Sequence, residues 1–155
     1  MIYYFTRTQK SKVAADALHE ITGLPLYALT APINEVKGFS FVWRAVKSVL
    51  SSKGCPVDNL PTDVPSEIYI CGPIWAGGLA GPLKYFVKNI DLTHTKVNVL
   101  LTGQQPAEQS REMIQKFLAK SGCKPCKIFM MATSKELPEK DVVLEHLRQM
   151  LEEEA

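Results

Sequence analysis

The segment "TRTQKS" (residues 6–11) combines three hydroxyl side chains with Arg7 and Lys10, and a helical pattern follows it directly. Hydroxyl groups, cations and the amides of a first helical turn are groups that proteins use to hold a phosphate, and the helix dipole favours an anion there. The alternative is a plain turn in which Thr8 or Ser11 caps the helix. Taken alone, the segment slightly favours the capped turn, because short hydroxyl-rich turns are common.

The segment "GPIWAGGLAGPLKYF" (residues 72–86) places a tryptophan among glycines. Gly77 and Gly78 permit unusual backbone angles and let a ligand approach the main chain closely. A planar ring could lie against Trp75 while loop amides bond to its polar edge. The alternative is that Trp75 only covers the edge of a sheet. We favour the ligand site, because the residues lie where the predicted fold binds ligands.

The elements that must position these segments alternate along the chain. Short β-rich runs predict five strands, and apolar residues at helical spacing predict a helix after each strand. This alternation predicts a single α/β domain over residues 1–155, with a parallel sheet covered on both faces. The predicted strands are 2–5, 24–30, 67–72, 96–102 and 127–133.

Such sheets bind ligands beyond the carboxyl ends of their strands, where the strand order reverses. The loops after the first, third and fourth strands are therefore the ones to inspect. "TGQQ" (residues 102–105) follows the fourth strand, and its interest comes from facing the same crevice as the other two segments.

Composition and missing motifs exclude several classes of protein. The formal net charge is +2 and scattered, which gives no footprint for nucleic acid or an anionic membrane. We expect no membrane span and no signal peptide, and hence a cytoplasmic protein. Neither G-x-G-x-x-G nor G-x-x-x-x-G-K-[ST] occurs, which argues against a nicotinamide dinucleotide in the first loop and against ATP or GTP hydrolysis. The absence of G-x-S-x-G disfavours α/β-hydrolase chemistry.

The remaining reactive or aromatic residues have simple interpretations. Cys123 and Cys126 form "CKPC", a spacing found in redox pairs and zinc sites, but no second pair at ligand spacing exists. We therefore expect structural or incidental thiols there, a core thiol at Cys71, and no metal site. Trp43, in the second predicted helix, is expected to be core packing or a contact surface.

Two segments resemble the flavodoxin-like superfamily, and the resemblance covers essentially the whole chain. "YFTRTQKSKVA" resembles its phosphate loop, a strand followed by S/T-x-T-x-x-T/S and a helix. "GPIWAGGLAGPLKYFV" is similar to the P-I-Y/W-x-G-x-x-x-G-P-L-K-x-F segment of flavodoxins and related flavin-dependent quinone reductases. The resemblance implies an FMN cofactor and a doubly wound sheet of five strands in the order 2-1-3-4-5.

The resemblance also assigns the site residues by position. The phosphate would be surrounded by Thr6, Arg7, Thr8, Lys10 and Ser11. The isoalloxazine ring would be lined by Pro73, Ile74, Trp75, Ala76, Gly77 and Gly78, and its other side would be closed by Thr102, Gly103, Gln104 and Gln105. The implied function is redox chemistry by the flavin. The implied partners are NAD(P)H with a quinone, or a redox partner protein, and a homodimer is compatible with the resemblance.

The chain departs from the family at Gln9-Lys10, where Gly-Asn is usual. A glutamine at a tight turn would crowd the phosphate or need strained backbone angles. The slight positive charge also differs from the acidic electron-transfer flavodoxins, and it weakens the idea of docking on basic partners. Two alternatives therefore stay open: an FMN-dependent electron carrier or reductase, and a flavodoxin-fold binding or regulatory module that no longer holds FMN.

Overall fold

Five parallel strands form the central sheet of the computed structural model, which describes residues 1–123 and 125–154 but not the side chain of Cys126. The strands in chain order are β1 (Ile2–Tyr4), β2 (Leu26–Ala28), β3 (Glu67–Trp75), β4 (Gly78–Leu79), β5 (Lys96–Gly103) and β6 (Pro125–Ala132). The helices are α1 (Lys10–Thr22), α2 (Gly38–Leu50), α3 (Gly81–Asn89), α4 (Glu108–Lys120) and α5 (Lys140–Glu153), with a 3-10 helix at Pro32–Glu35.

The order of the strands is β2-β1-β3-β5-β6, which confirms the order implied by the sequence resemblance. In the part of the chain that the structure describes, the sheet also contains β4, a two-residue strand that pairs antiparallel with the end of β3 and was not expected. Because the direction of winding reverses between β1 and β3, the carboxyl ends of these two strands flank the predicted crevice.

Apolar side chains cover both faces of the sheet. Strand β5 is buried at nearly every position, as expected for a parallel strand with helices on both sides. One core contains Phe5, Ile70, Phe86 and Ile114 on the side of α3 and α4. The second core packs α1 and α5 against the opposite face, and Val143 and Leu147 of α5 point inward there.

Helix α2 is anchored at its carboxyl end by a lysine from α3. The buried ammonium of Lys84 donates to the carbonyl oxygen of Val49 and, at 3.4 Å, to that of Ser51. A cation is favourable at the carboxyl end of a helix, where carbonyl groups lack intrahelical partners. Burial nevertheless lowers the pKa of Lys84.

The structure settles part of what was expected of the cysteines. Cys71 is fully buried in β3, as predicted for a core thiol. Burial raises the pKa of this thiol, which donates to the carbonyl oxygen of Ser11 at 3.5 Å. The geometry of the Cys123–Cys126 pair lies outside the described residues, because it involves Lys124 and the side chain of Cys126. In the described ranges, no helix is long and apolar enough to cross a membrane.

Two glycines with similar backbone angles allow a matched test of the packing of α3. Gly54 has φ +73° and Gly23 has φ +68°, so alanine at either position costs about 1–2 kcal/mol of backbone strain. A Cβ on Gly54 would also lie 2.3 Å from the carbonyl oxygen of Gly81, whereas a Cβ on Gly23 meets no described atom within 4 Å. We expect Gly54→Ala to destabilise the protein by about 2 kcal/mol more than Gly23→Ala in urea unfolding. Equal losses would contradict this packing.

Candidate functional site

The three segments singled out from the sequence meet at one edge of the sheet. Strands β1, β3 and β5 are adjacent and parallel, and their pairings include Tyr4 with Cys71 and Pro73 with Thr102. The residues that follow β1 and β5, and those at the end of β3, therefore lie side by side. The predicted crevice is assembled from segments that are far apart in the sequence.

Arg7 fixes the first loop to the 3-10 helix. Its guanidinium donates to the carbonyl oxygens of Ile33 at 3.1 Å, Asn34 at 3.3 Å and Val36 at 2.7 Å. In return, the side-chain amide of Asn34 donates to the carbonyl oxygen of Thr6 at 3.0 Å. The cation of Arg7 is therefore engaged with protein oxygens, and its main effect is to hold the loop in place.

A chain of ring contacts runs from Arg7 to Trp75. The guanidinium carbon of Arg7 lies 3.5 Å from the ring centroid of Phe41, a cation–π arrangement. Phe41 packs edge-on against Trp75 with centroids 5.3 Å apart, and Trp75 packs in the same manner on Phe5 at 5.6 Å. Trp75 is thus partly buried as cover over the end of β1, and part of its surface stays accessible.

The first helix has no side-chain cap. Its N-cap residue is Gln9, so neither Thr8 nor Ser11 takes that position, and the capped-turn interpretation is wrong. Gln9 has φ +66°, the left-handed conformation that favours glycine. The departure from Gly-Asn at Gln9-Lys10 led us to expect either crowding or strained backbone angles here, and the structure has the strained angles. The side chain of Gln9 is exposed, so the strain lies in the backbone alone.

The remaining polar residues of the first loop are tied to neighbouring strands. Ser11 is buried, and its hydroxyl is 2.8 Å from that of Thr102, which is also buried. The ammonium of Lys10 donates to the carbonyl oxygen of Ser134, beyond the end of β6. Ser11 and Lys10 thus connect α1 to the other edge segments, while Thr8 stays exposed.

Thr6 is the polar residue of this loop that the fold leaves unsatisfied. Its hydroxyl oxygen is buried and has no hydrogen-bond partner among the described residues. A buried hydroxyl without a partner costs about 1–3 kcal/mol, so such groups are rare in native proteins and call for an explanation. A bound ligand that accepts a hydrogen bond at this position would remove the cost.

The second segment forms a tight hairpin where a glycine-rich loop was expected. Trp75 pairs with Gly78, and the two residues between them both have positive φ, Ala76 at +46° and Gly77 at +79°. This is the backbone of a two-residue hairpin turn, in which the first position usually holds asparagine, aspartate or glycine. Ala76 is therefore a second strained residue at this edge.

The hairpin is held between two helices. A Cβ on Gly77 would lie 3.4 Å from the Met113 methyl carbon in α4, and one on Gly78 would lie 2.8 Å from a methyl group of Val49 in α2. Ile74 contacts the third segment, since its side chain would lie 3.3 Å from a Cβ on Gly103.

The third segment contributes one buried and several open positions. The carbonyl oxygen of Gly103 accepts from the amide of Thr133 at 2.7 Å, which extends the pairing of β5 with β6. Gln104 and Gln105 are exposed and free to turn toward a ligand. Within the described ranges, no group of three or more histidine, cysteine, aspartate or glutamate residues is arranged to hold a metal ion.

The sequence did not reveal the contribution of Asn34 and Phe41 to this edge. Asn34 precedes α2 and Phe41 belongs to it, and neither residue is near the three segments in the sequence. The only available indication was three aromatic residues, Phe39, Phe41 and Trp43, in a helix with apolar residues on more than one face.

Several solved structures have the same fold. A Bacteroides uniformis protein described as a "Putative flavoprotein" is 17% identical to this chain, with a TM-score of 0.75 and 96% of each chain covered. A flavoprotein from Lactobacillus acidophilus, solved in complex with FMN, is 15% identical, with a TM-score of 0.67 over 83% of this chain and 90% of its own. No protein-family model and no curated protein matches the sequence. At these identities the likeness establishes the fold.

Two threonines at this edge should respond differently to the same substitution. Thr102→Val leaves the buried hydroxyl of Ser11 without its partner, so we expect a loss of about 1–3 kcal/mol in the free energy of unfolding. Thr6→Val removes a hydroxyl that already lacks a partner, so the ligand-free protein should be unchanged or gain about 1 kcal/mol. Urea unfolding of both variants measures the difference. A clear loss for Thr6→Val would show that its hydroxyl is bonded in the free protein.

Proposed function

We propose that this chain, which has the flavodoxin-like fold, binds FMN noncovalently at the edge where β1, β3 and β5 end, and that it acts as a redox protein. The observation that carries the proposal is the buried Thr6 hydroxyl without a described partner, beside a helix start that no side chain caps. The Thr6 hydroxyl and the amides of the first turn of α1 are hydrogen-bond donors without an acceptor among the described residues. A phosphate oxygen is an acceptor that suits them.

The phosphate end of the proposed site fits the residues present. Thr6 and Thr8 would donate from their hydroxyls, and the first amides of α1 would donate from the main chain. Lys10 and Arg7 supply positive charge nearby, although their side chains already bond to carbonyl oxygens. Ser11 would act indirectly, because its hydroxyl holds Thr102 and so fixes the third segment against the first.

The ring end of the proposed site is the space beside the hairpin. The isoalloxazine would lie against the accessible part of Trp75, with the main chain of Ala76, Gly77 and Gly78 at its edge. Pro73 and Ile74 would complete this side, and the residues 102–105 would close the other. When bound, the flavin supplies the ability to accept and release electrons, and the protein adjusts its potential by stacking and hydrogen bonds.

The conformation of Gln9 helps to decide between a flavin-binding protein and a module that no longer holds FMN. Its backbone already has the left-handed conformation that glycine would adopt, and its side chain is exposed. The main-chain path of the loop is therefore one that a glycine at this position could also follow. This favours the flavin-binding proposal over the cofactor-free alternative.

The proposed redox role has two forms. The chain would carry electrons between proteins, or it would pass them from NAD(P)H to a small acceptor such as a quinone. Steady-state oxidation of NAD(P)H in the presence of a quinone separates the two, because only a reductase needs nicotinamide beside the flavin.

The first test is whether FMN stays with the protein. The purified protein is mixed with FMN, passed through a gel-filtration column and examined by visible absorbance. We expect flavin absorbance to elute with the protein at close to one FMN per chain, since the proposed edge offers a single phosphate position. A colourless protein that leaves all added FMN behind would reject the proposal.

A single substitution tests the phosphate position. Thr6→Val should weaken FMN binding by about 10- to 100-fold, the value of one hydrogen bond to a charged group, while the ligand-free fold keeps its stability. Thr62→Val is the matched control, because Thr62 is exposed and precedes β3, at the opposite edge of the sheet. Fluorescence titration of FMN measures both affinities. Equal affinities for the two variants would place the phosphate elsewhere.

Gln9→Gly separates strain from obstruction. Removing the strained conformation should raise the free energy of unfolding by about 1 kcal/mol, because glycine adopts positive φ without steric cost. FMN affinity should change by less than about threefold, since the backbone path is retained. A large gain in affinity would instead show that Gln9 blocks the site, as the cofactor-free alternative requires.

A further inference from the structure

Helix α2 has an apolar face that points away from the protein. Phe39 is 83% exposed, Trp43 is 62% exposed and Leu50 is 83% exposed, with Val42 beside them at 54%. The inward face of the same helix is already filled, since Ala45 and Val49 are buried. The outward residues therefore play no part in the core of this chain.

The outward residues form a continuous ridge. Phe39, Trp43, Val46 and Leu50 are spaced by four, three and four residues, which places them on one side of the helix over three turns. This is the spacing by which helices pack against each other along a seam. Sporadic surface apolar residues would not follow it.

The exposed apolar area of the ridge can be compared with the area that a protein interface buries. An aromatic side chain presents about 150–250 Å², so Phe39 and Trp43 together leave roughly 200–350 Å² uncovered. Leu50, Val42 and the partly exposed Met113 of α4 extend this patch. A stable pair of proteins buries about 800 Å² on each partner, and the two aromatic residues alone would provide about a third of it.

A pocket opens next to the ridge. It has a volume of about 380 Å³ and is lined by Pro32, Ile33, Arg44, Lys47 and Cys55, among others. Arg44 and Lys47 directly follow Trp43 and Val46 in the chain, so the pocket adjoins the ridge. One surface thus carries both a projecting aromatic residue and a cavity of a size that can receive one.

We propose that this surface is the interface between two copies of the chain, related by a two-fold axis, with Trp43 of each copy in the pocket of the other. A projection and a cavity on the same surface are self-complementary under two-fold symmetry, and such a contact closes on itself. The cations of the pocket suit an aromatic occupant, because a ring face attracts Arg and Lys side chains.

The charges around the ridge determine how salt should change the stability of the proposed dimer. Residues 37–53 contain four basic and no acidic residues, whereas residues 135–154 of the α5 side contain seven acidic and three basic residues. A two-fold contact brings like charges of α2 together, so screening should strengthen it. Contact between the α2 side of one copy and the α5 side of the next would be weakened by salt, and it would form open chains.

Sedimentation velocity of the purified protein at micromolar to submillimolar concentration tests the proposal. We expect a dimer, and we expect Trp43→Lys and Phe39→Lys each to raise its dissociation constant by at least about 100-fold, as the loss of a central aromatic contact does. Val142→Lys is the matched control, because Val142 is 64% exposed on α5 and should leave the dimer intact. Circular dichroism checks that each variant is folded, which exposed positions should permit.

Three outcomes would overturn the proposal. They are a monomer throughout the concentration range, a dimer that neither substitution on α2 weakens, and a dimer that dissociates more readily when NaCl is raised from about 0.1 M to about 1 M. If the protein is a monomer, the ridge would instead suit a different protein whose surface has acidic residues around an apolar centre. None of these outcomes depends on flavin, so a failure here leaves the proposed function untouched.

Discussion

The guanidinium of Arg7 bonds to three carbonyl oxygens between Ile33 and Val36 and lies against the ring of Phe41. These contacts join the loop after β1 to the segment that leads into α2. Through Phe41 the same group reaches Trp75, which stands at the end of β3. The positions of two of the three edge segments, and of the helix that carries the exposed ridge, therefore depend on one partly buried set of hydrogen bonds. Lysine could not replace it, because a compact ammonium lacks the planar set of donors that reaches several acceptors at once.

The same edge of the sheet contains residues in unfavourable local conformations or surroundings. Gln9 and Ala76 have positive φ, and Thr6 has a buried hydroxyl without a described partner. Each of these features costs free energy, whereas the other positive-φ positions among the described residues hold glycine. Strain that persists at one edge needs surrounding structure to impose it. Here the Arg7 contacts, the Ser11–Thr102 bond and the packing of the hairpin between α2 and α4 impose it.

Helix α2 connects the proposed flavin site to the proposed interface. Phe41 on its inner side contacts Trp75, and Trp43, two residues later, points outward. A partner on the outer side would restrict the motion of the helix and hence of the aromatic cover over the end of β1. Lys84 holds the far end of the helix by its last carbonyl groups, so α2 is fixed at both ends while its outer face stays open.

The sequence by itself determined the alternation of strands and helices, the order of the strands through its resemblance, and the edge at which the three polar segments meet. The alternation and the common edge follow from local periodicity and from the geometry of parallel sheets, which depend on residue types close together in the chain. The strand order was what the resemblance implied. Tertiary structure alone decided that Ser11 turns inward to Thr102, 91 residues away, that Arg7 binds carbonyl groups 26 to 29 residues away, and that β3 ends in a hairpin. It also decided that Phe41 is covered and Trp43 exposed, because periodicity cannot orient a helix that is apolar on two sides. Contacts between distant residues depend on the packing of the whole sheet and its helices, and no local pattern encodes that packing.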